Sequence, residues 1–351
     1  MASLDTTIER IAAPDEGCAA AAQRAFDAKT KPRGSLGRLE ELARQVAAIR
    51  RQPLPGPEPA AVVVVGGDHG IAEEGVSAYP QEVTAQMLAN FAGGGAAICV
   101  LARAAGARLV VVDAGVRGDR AVDGVLDRRL GPGTANAARG PAMTRALATQ
   151  ALETGIDLAG DLAADGVGLV ALGDMGIGNT AVSSTIAACL LRRDPADLVG
   201  RGTGVDDEGL RTKVAAVRRA LQVNEPDPAD PVGVLAAVGG FEHGVLAGLM
   251  LGAAADHVPV VLDGLIVGSA ALLAARIAPA SGGAMIASHL SPEPGHALIL
   301  AALGLEPLLD LRMRLGEGSG AALGLQVVND ALLLLRDMAT FEGAGVTDAG
   351  A

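Results

Sequence analysis

Residues 168–184 read GLVALGDMGIGNTAVSS. An apolar run, Gly168–Leu172, leads into a loop rich in glycine, and the loop opens a stretch of helical composition. The apolar run is continuous rather than alternating, as in a strand buried on both faces, and such strands belong to parallel sheets. The same pattern recurs at Ala61–Val65, Arg108–Asp113, Val258–Leu262 and Ala284–Ala287, with long Ala/Leu-rich stretches between. Strands alternating with helices at this spacing predict an α/β, doubly wound domain. In such sheets ligands bind beyond the carboxyl ends of the strands. The loops at those ends are GGDHG (66–70), DAG (113–115), GDMGIGNT (173–180), DG (263–264) and SHLSPEPGH (288–296), and the chemistry is expected there.

Helical patterning flanks this region. Leu36, Leu39, Leu42, Val46 and Ile49 form an amphipathic stripe, and Ala321–Phe341 carries another through Leu323, Val327, Leu332 and Leu335. Between the first stripe and the first strand, RRQPLPGPEPAA (50–61) holds four prolines and reads as a domain edge. The two helical ends can pair as a small helical domain. The expected division is therefore 1–55, 56–318 and 319–351.

Composition narrows the function. The 351 residues carry 28 Lys+Arg against 40 Asp+Glu, a net charge of −12, which disfavours a phosphate-backbone binder. Four Phe, one Tyr and no Trp leave no stacking platform for single-stranded nucleic acid. Cys18, Cys99 and Cys189 are far apart, so neither a disulfide framework nor a zinc ribbon is expected, and a reducing, cytoplasmic setting fits. The N-terminal MASLDTTIERIAAPDEG lacks an apolar signal core. The longest apolar stretches, Gly244–Ala255 and Gly264–Ala275, fall short of the ~20 residues a membrane span needs and read as buried helices. No HExxH and no GxSxG occurs, so neither a metal centre nor a hydrolase nucleophile is expected.

In the 173–184 loop, Gly176 and Gly178 let the backbone approach a ligand. Asn179, Thr180 and the free N–H groups of the helix start can donate to a phosphate. Gly176–Ala181 also fits the GxGxxA dinucleotide fingerprint, but the following acids, Asp194 and Asp197, lie beside Pro195 and not at a strand end. A second glycine loop, GRGTG (200–204), is followed by Asp206, a helix N-cap, and by Lys213, one of only three lysines. Lys213 either reaches the phosphate or lies on a solvated helix face. Glu317, in RMRLGEGSGAA (312–322), stands between two glycines: a substrate-facing proton acceptor, or an acid capping the C-terminal helix. Asp174 is a second acid, a partner to Glu317 if the fold brings them together. His69 and His289 stand at strand ends.

These segments occur in a fixed order: KPRGSLGRLE (31–40), GDHGIAEEGVSAYPQEVTAQML (67–88), GDMGIGNT (173–180), GRGTG (200–204), GGFEHGVLAG (239–248), SHLSPEPGH (288–296) and RLGEGSGAAL (314–323). Together, from about Lys31 to Phe341, the chain resembles the nicotinate-nucleotide–dimethylbenzimidazole phosphoribosyltransferases. The resemblance implies a Rossmann-like large domain, a small helical domain from both chain ends and a homodimer. It also implies phosphoribosyl transfer from nicotinate mononucleotide to 5,6-dimethylbenzimidazole without cofactor or metal. It assigns the proton acceptor to Glu317 and the phosphate to Gly176, Gly178, Asn179, Thr180, Gly202, Thr203 and Gly204. Lys213, Ser291, Tyr79 and Gln86 join them as substrate-binding residues, with Tyr79 near the aromatic base. In the family the loop usually reads GEMGIGNT, and Asp174 stands here in the Glu position, which shortens the carboxylate's reach by on the order of 1.5 Å. The scarcity of aromatics predicts a base held by aliphatic side chains and glycine backbone rather than stacked on Tyr79 or Phe91. The competing readings are transfer to another aromatic base, a dinucleotide-dependent oxidoreductase and a non-catalytic metabolite sensor.

Overall fold

The computed structural model describes residues 3–118 and 122–347. The chain opens with three helices, α1 (Leu4–Arg10), α2 (Glu16–Asp27) and α3 (Arg38–Arg50). The first sheet half follows as β1 (Ala60–Gly67), α4 (Glu82–Ala92), α5 (Ala97–Ala104), β2 (Arg108–Gly115) and β3 (Val125–Asp127). After α6 (Arg145–Ala164) come β4 (Leu169–Met175), α7 (Asn179–Leu191), α8 (Asp207–Asn224), α9 (Pro231–Val238) and α10 (Phe241–Ala255). The chain then forms β5 (Val260–Leu262), α11 (Leu265–Ile277), β6 (Met285–Ala287), α12 (Pro294–Leu303), α13 (Ser319–Asp337) and α14 (Phe341–Ala344).

All strand pairings are parallel, in the order β3-β2-β1-β4-β5-β6. This is the doubly wound Rossmann order, and the chain reverses its direction of travel across the sheet between β1 and β4. The expected α/β class is therefore found. Alternation along β1 explains its two-sided burial. Ala61, Val63 and Val65 join the core made with α6, α7, α10 and α11, whereas Val62 and Val64 join the core made with α2, α3, α4, α5 and α13. Four of the expected strands match β1, β2, β4 and β6, and the run from Val258 contributes β5 at Val260–Leu262. β3 was not expected: three residues on an exposed sheet edge carry no apolar run to betray them.

The two long apolar stretches form α10 and α11; every residue of α10 is buried. One further stretch, Glu82–Ala104, is apolar and long enough by composition to cross a membrane. It is broken between α4 and α5, and Leu88, Phe91, Ile98, Cys99 and Ala102 are buried against the sheet. The chain ends meet: the Thr30 N–H donates to the Ala339 carbonyl at 3.0 Å, and Lys29 Nζ donates to the Met338 carbonyl at 2.5 Å. Within KPRGSLGRLE, Lys31 Nζ pairs with Glu40 at 2.7 Å, both buried, and the Leu36 N–H also donates to Glu40, which pins the entry into α3.

Candidate active site

The crevice where the strand order reverses is floored by the ends of β1 and β4. Gly176 packs so tightly there that a Cβ would stand 2.3 Å from the Gly67 carbonyl oxygen and 3.0 Å from His69 Nε2. Gly178, at φ +96°, starts α7, and no side chain caps that helix. The positive end of the helix dipole therefore faces the crevice. Thr84 of α4 secures the loop: its hydroxyl accepts from the Ile177 N–H at 3.1 Å. Behind it, Glu242 Oε1 lies 2.9 Å from His69 Nε2 and 2.7 Å from His243 Nδ1, all three fully buried. Burial pushes the Glu242 carboxyl up, but the two imidazoles outweigh it and hold it well below the usual carboxylate range. His243 Nε2 reaches Ser183 Oγ at 2.9 Å, so the cluster ties β1 and α7 to α10.

Beside this loop lies the second glycine turn. Lys213, on α8, is 1% exposed, which removes the solvated-face reading. Its Nζ donates to Thr180 Oγ1 at 2.7 Å and to the Gly200 carbonyl at 3.0 Å. Burial lowers its pKa to about 8, against the opposing pull of Glu293. An ammonium has three donors, so this geometry leaves one for an anion. Glu293 Oε1 accepts the Gly202 N–H at 2.9 Å, and Arg314 donates to the Gly202 carbonyl at 3.2 Å. Thr203 Oγ1 accepts from the Ala78 N–H at 3.1 Å, joining the turn to the segment before α4. Although the chain is acidic overall, this corner gathers Lys213, Arg314 and the start of α7 beside Glu293, while Arg201 pairs with Asp207.

Across the crevice, Gly316, Glu317 and Gly318 have φ of +82°, +63° and +83°. Their turn lies flat on β4, because a Cβ on Gly173 would be 2.3 Å from the Gly318 nitrogen. Glu317 is 8% exposed; the Ile98 N–H faces its carboxylate and pulls its pKa down, while Oε2, buried, meets no hydrogen-bond partner among the described residues. Burial raises its pKa, and Asp263 adds to the rise. Asp174 is at the same place: a Cβ on Gly316 would be 3.9 Å from its Oδ1. The fold thus brings the two expected acids together. Burial, with Asp263, Glu242 and Glu317 nearby, raises Asp174 well above the ordinary carboxyl value.

Several expected residues have other duties here. The Asn179 amide donates to Asp174 Oδ2 at 2.7 Å, so at least one of its two N–H bonds serves the acid rather than a phosphate. The Gly202 N–H is likewise taken by Glu293. Ser291 is buried: its N–H donates to His296 Nδ1 at 3.0 Å, and its hydroxyl accepts from the Glu293 N–H. Gly204, at φ +100°, completes the turn. Tyr79 is 55% exposed next to Ala78, and Gln86 is exposed on α4. Phe91, 2% exposed, belongs to the core. Among the described residues, no three His, Cys, Asp or Glu side chains are grouped to hold a metal ion.

The phosphoribosyltransferase family model matches residues 11–346. The nicotinate-nucleotide–dimethylbenzimidazole phosphoribosyltransferase of Roseiflexus castenholzii is 52% identical over 348 residues, which cover 99% of each chain. The enzyme of the same name from Geobacter metallireducens is 48% identical over 347 residues, covering 99% of this chain and 98% of that one. The crystal structure of CobT from Thermus thermophilus superposes with a TM-score of 0.91 at 47% identity, covering 95% of this chain and all of that one. The chain belongs to the nicotinate-nucleotide–dimethylbenzimidazole phosphoribosyltransferase family. It is a pentosyltransferase, as the ordered motifs imply, and neither a dehydrogenase nor a mere sensor. The local geometry agrees: the strand following α7 is β5, and the acid just after it, Asp263, is buried and accepts the backbone N–H groups of Gly318, Gly320 and Ala321.

Sequence reasoning missed four residues of this family member's site. Asp263 and Glu293 lay inside loops already marked by strand ends, but nothing local showed which amides they would meet. Arg314 lay in the Glu317 motif, and Glu242 in the GGFEHG segment. Their long-range partners are between 55 and 173 residues away, so only the fold could reveal them.

Proposed function

We propose that the enzyme transfers the phosphoribosyl group of nicotinate mononucleotide to 5,6-dimethylbenzimidazole, giving α-ribazole 5′-phosphate and nicotinate, with Glu317 as the proton acceptor. The observation that carries this reading is the buried Glu317 carboxylate: its second oxygen meets no partner among the described residues, and it stands at the same strand ends as Lys213 and the start of α7. The names of the relatives fit this substrate pair.

Nicotinate is bound to C1′ through a pyridinium nitrogen, so breaking that bond releases a neutral ring nitrogen and needs no strong acid. The benzimidazole attacks through its imine nitrogen from the opposite face, which inverts C1′ to the α configuration. Positive charge grows on the base, and the proton on its other nitrogen passes to Glu317. General base assistance of this kind is worth ~10²–10⁴ in rate. Lys213, Thr180 and the glycine turns around Gly178 and Gly202 hold the 5′-phosphate, and fixing both reactants in line supplies much of the remainder. Asp174, its carboxyl raised well above the ordinary value by burial, holds the Asn179 amide and lines the base side together with the glycine backbone. Tyr79, exposed next to Ala78, stands near the base without stacking on it. Residues 1–55 and 319–351 form the helical part that carries the Glu317 helix, and the working unit is a homodimer.

The deciding experiment mixes the purified enzyme with nicotinate mononucleotide and 5,6-dimethylbenzimidazole and identifies the nucleotide product, with Glu317→Gln beside it. Formation of the α-ribotide, with a hundredfold or greater loss in the variant, is the expected result. Release of nicotinate with other bases only would move the acceptor assignment, and an undiminished variant would remove Glu317 from its role.

A further inference from the structure

The turn that presents Glu317 is an awkward one. Three successive residues at positive φ gain nothing from a helix, and α13 begins immediately after them with orphan N–H groups. A Ser, Thr or Asp at the N-cap would normally satisfy those groups. Here the N-cap is Gly318, at φ +83°, where glycine is the residue without a steric penalty; the turn itself supplies the Gly316 carbonyl to the Ser319 N–H, and no N-cap side chain serves the other N–H groups. The missing acceptor comes from another strand. Asp263, the first residue after β5 and 1% exposed, accepts the Gly318 N–H on Oδ2 at 3.1 Å, and the Gly320 and Ala321 N–H groups on Oδ1 at 2.8 and 3.2 Å. Both carboxylate oxygens are committed to backbone on the C-terminal side of Glu317.

We propose that Asp263 is the positioning residue for Glu317, fixing from β5 the turn that aims the glutamate carboxylate into the crevice. The inference rests on the reading of Glu317 as proton acceptor. β4 supports the turn from beneath through Gly173, and Asp263 holds the residues after it; a turn packed on one strand and bonded just beyond Glu317 to the next keeps the carboxylate within the narrow range that proton transfer requires. The choice of an anion for this cap has a second consequence. The groups facing Glu317 are the Ile98 N–H from α5, Asp174 from β4 and Asp263 from β5; those facing Asp263 are the three amides, Asp174, and His289 after β6, whose Nδ1 is 3.7 Å from Oδ1. Burial raises the Asp263 pKa too, against the pull of His289 and the three amides, and in its ionised form it strengthens the hold of Glu317 on a proton, so Asp263 tunes the base as well as aiming it.

The test is a double-mutant cycle on the intact enzyme with nicotinate mononucleotide and 5,6-dimethylbenzimidazole. Asp263→Asn keeps size and one accepting oxygen but loses the charge and turns an NH2 toward a backbone N–H. Its kcat is expected to fall at least thirtyfold with the nucleotide KM within threefold, and the acid limb of its kcat/KM profile to move to lower pH. Asp263→Asn combined with Glu317→Gln is expected to be no more than threefold slower than Glu317→Gln alone, because Asp263 acts through Glu317. Losses that multiply in the double variant, a kcat within threefold of wild type, or an effect confined to KM would each overturn the assignment. If Glu317→Gln alone keeps wild-type turnover, the proton-acceptor reading fails first, and the assignment falls with it whatever Asp263→Asn does. Should Asp263→Asn not fold, Asp263→Ser is measured in the same way; failure of both to fold would make the role structural and overturn the proposal.

Discussion

Glu317 occupies a left-handed conformation that costs an L-residue with a Cβ roughly 1–2 kcal/mol, and it buries a carboxylate oxygen without a partner. Both features oppose stability and persist at a site where strain serves function. Replacing it by glycine should therefore raise the melting temperature slightly while turnover is lost; a destabilised Glu317→Gly would contradict the account of strain. Lys213 makes the opposite kind of prediction. Its ammonium is buried and bonded to Thr180, and a hydrogen bond to a charged group is worth about 1.5–3 kcal/mol. Lys213→Met should raise the nucleotide KM by roughly 10- to 100-fold, with a smaller effect on kcat, as steady-state kinetics at saturating base will show. KM for the base should hardly change.

At the scale of elements, two close approaches carry testable consequences. β4 admits the Glu317 turn only because Gly173 has no side chain, so Gly173→Ala should lift the turn and lower kcat while the nucleotide KM, set by the loops after β4 and before α8, stays within a few-fold. An equal rise in KM would mean that the turn and the phosphate corner move together. Away from the site, α6 and α10 cross with their backbones nearly touching: a Cβ on Gly248 would be 1.9 Å from the Leu152 carbonyl oxygen. Gly248→Ala should cost about 1–3 kcal/mol by overpacking, seen as a lower melting temperature with kcat unchanged in the folded fraction. The glycines of GGFEHGVLAG, which at the level of sequence look like part of a binding motif, thus divide into two groups. Gly240 backs onto Glu242 and His69, and Gly248 serves helix packing alone.

For the whole molecule, the two titrating groups Glu317 and Lys213, in their proposed roles, predict a bell-shaped profile of kcat/KM. Glu317 must be ionised to accept a proton, and burial places its pKa above 4.5, so the acid limb lies above the usual glutamate range and disappears in Glu317→Gln. Lys213 must be protonated to hold the phosphate, so activity falls as pH rises through about 8. The sign for stability is reversed. With a folded pKa near 8 and an unfolded value of 10.5, the unfolded chain binds more protons between those limits, and this group's contribution to stability rises with pH across the same window. Thermal melts from pH 7.5 to 10, with and without nucleotide, check this: the stabilisation by nucleotide should shrink as pH rises.

How much of this was legible beforehand follows from the range of the interactions. Burial on both faces writes a continuous apolar run, so β1, β2 and β4 could be read directly and the parallel sheet inferred from them; β3, exposed on an edge, leaves no such trace. The glycine turns, Glu317 and Lys213 could be picked out because backbone conformation and rarity are local facts, and the order of the motifs sufficed to identify the family. The duties of Asn179, Gly202 and Ser291 could not, since each is set by a partner from the fold: Asp174 at the end of β4, Glu293 and His296 beyond β6. The sequence by itself therefore determined the layers, the place of the crevice and the family. The tertiary structure alone decided that Lys213 faces inward, that Asp174 and Glu317 share one pocket and that Asp263 caps α13 from β5. The physical reason is that burial and long-range hydrogen bonding, which set protonation and aim, depend on which strand ends lie side by side.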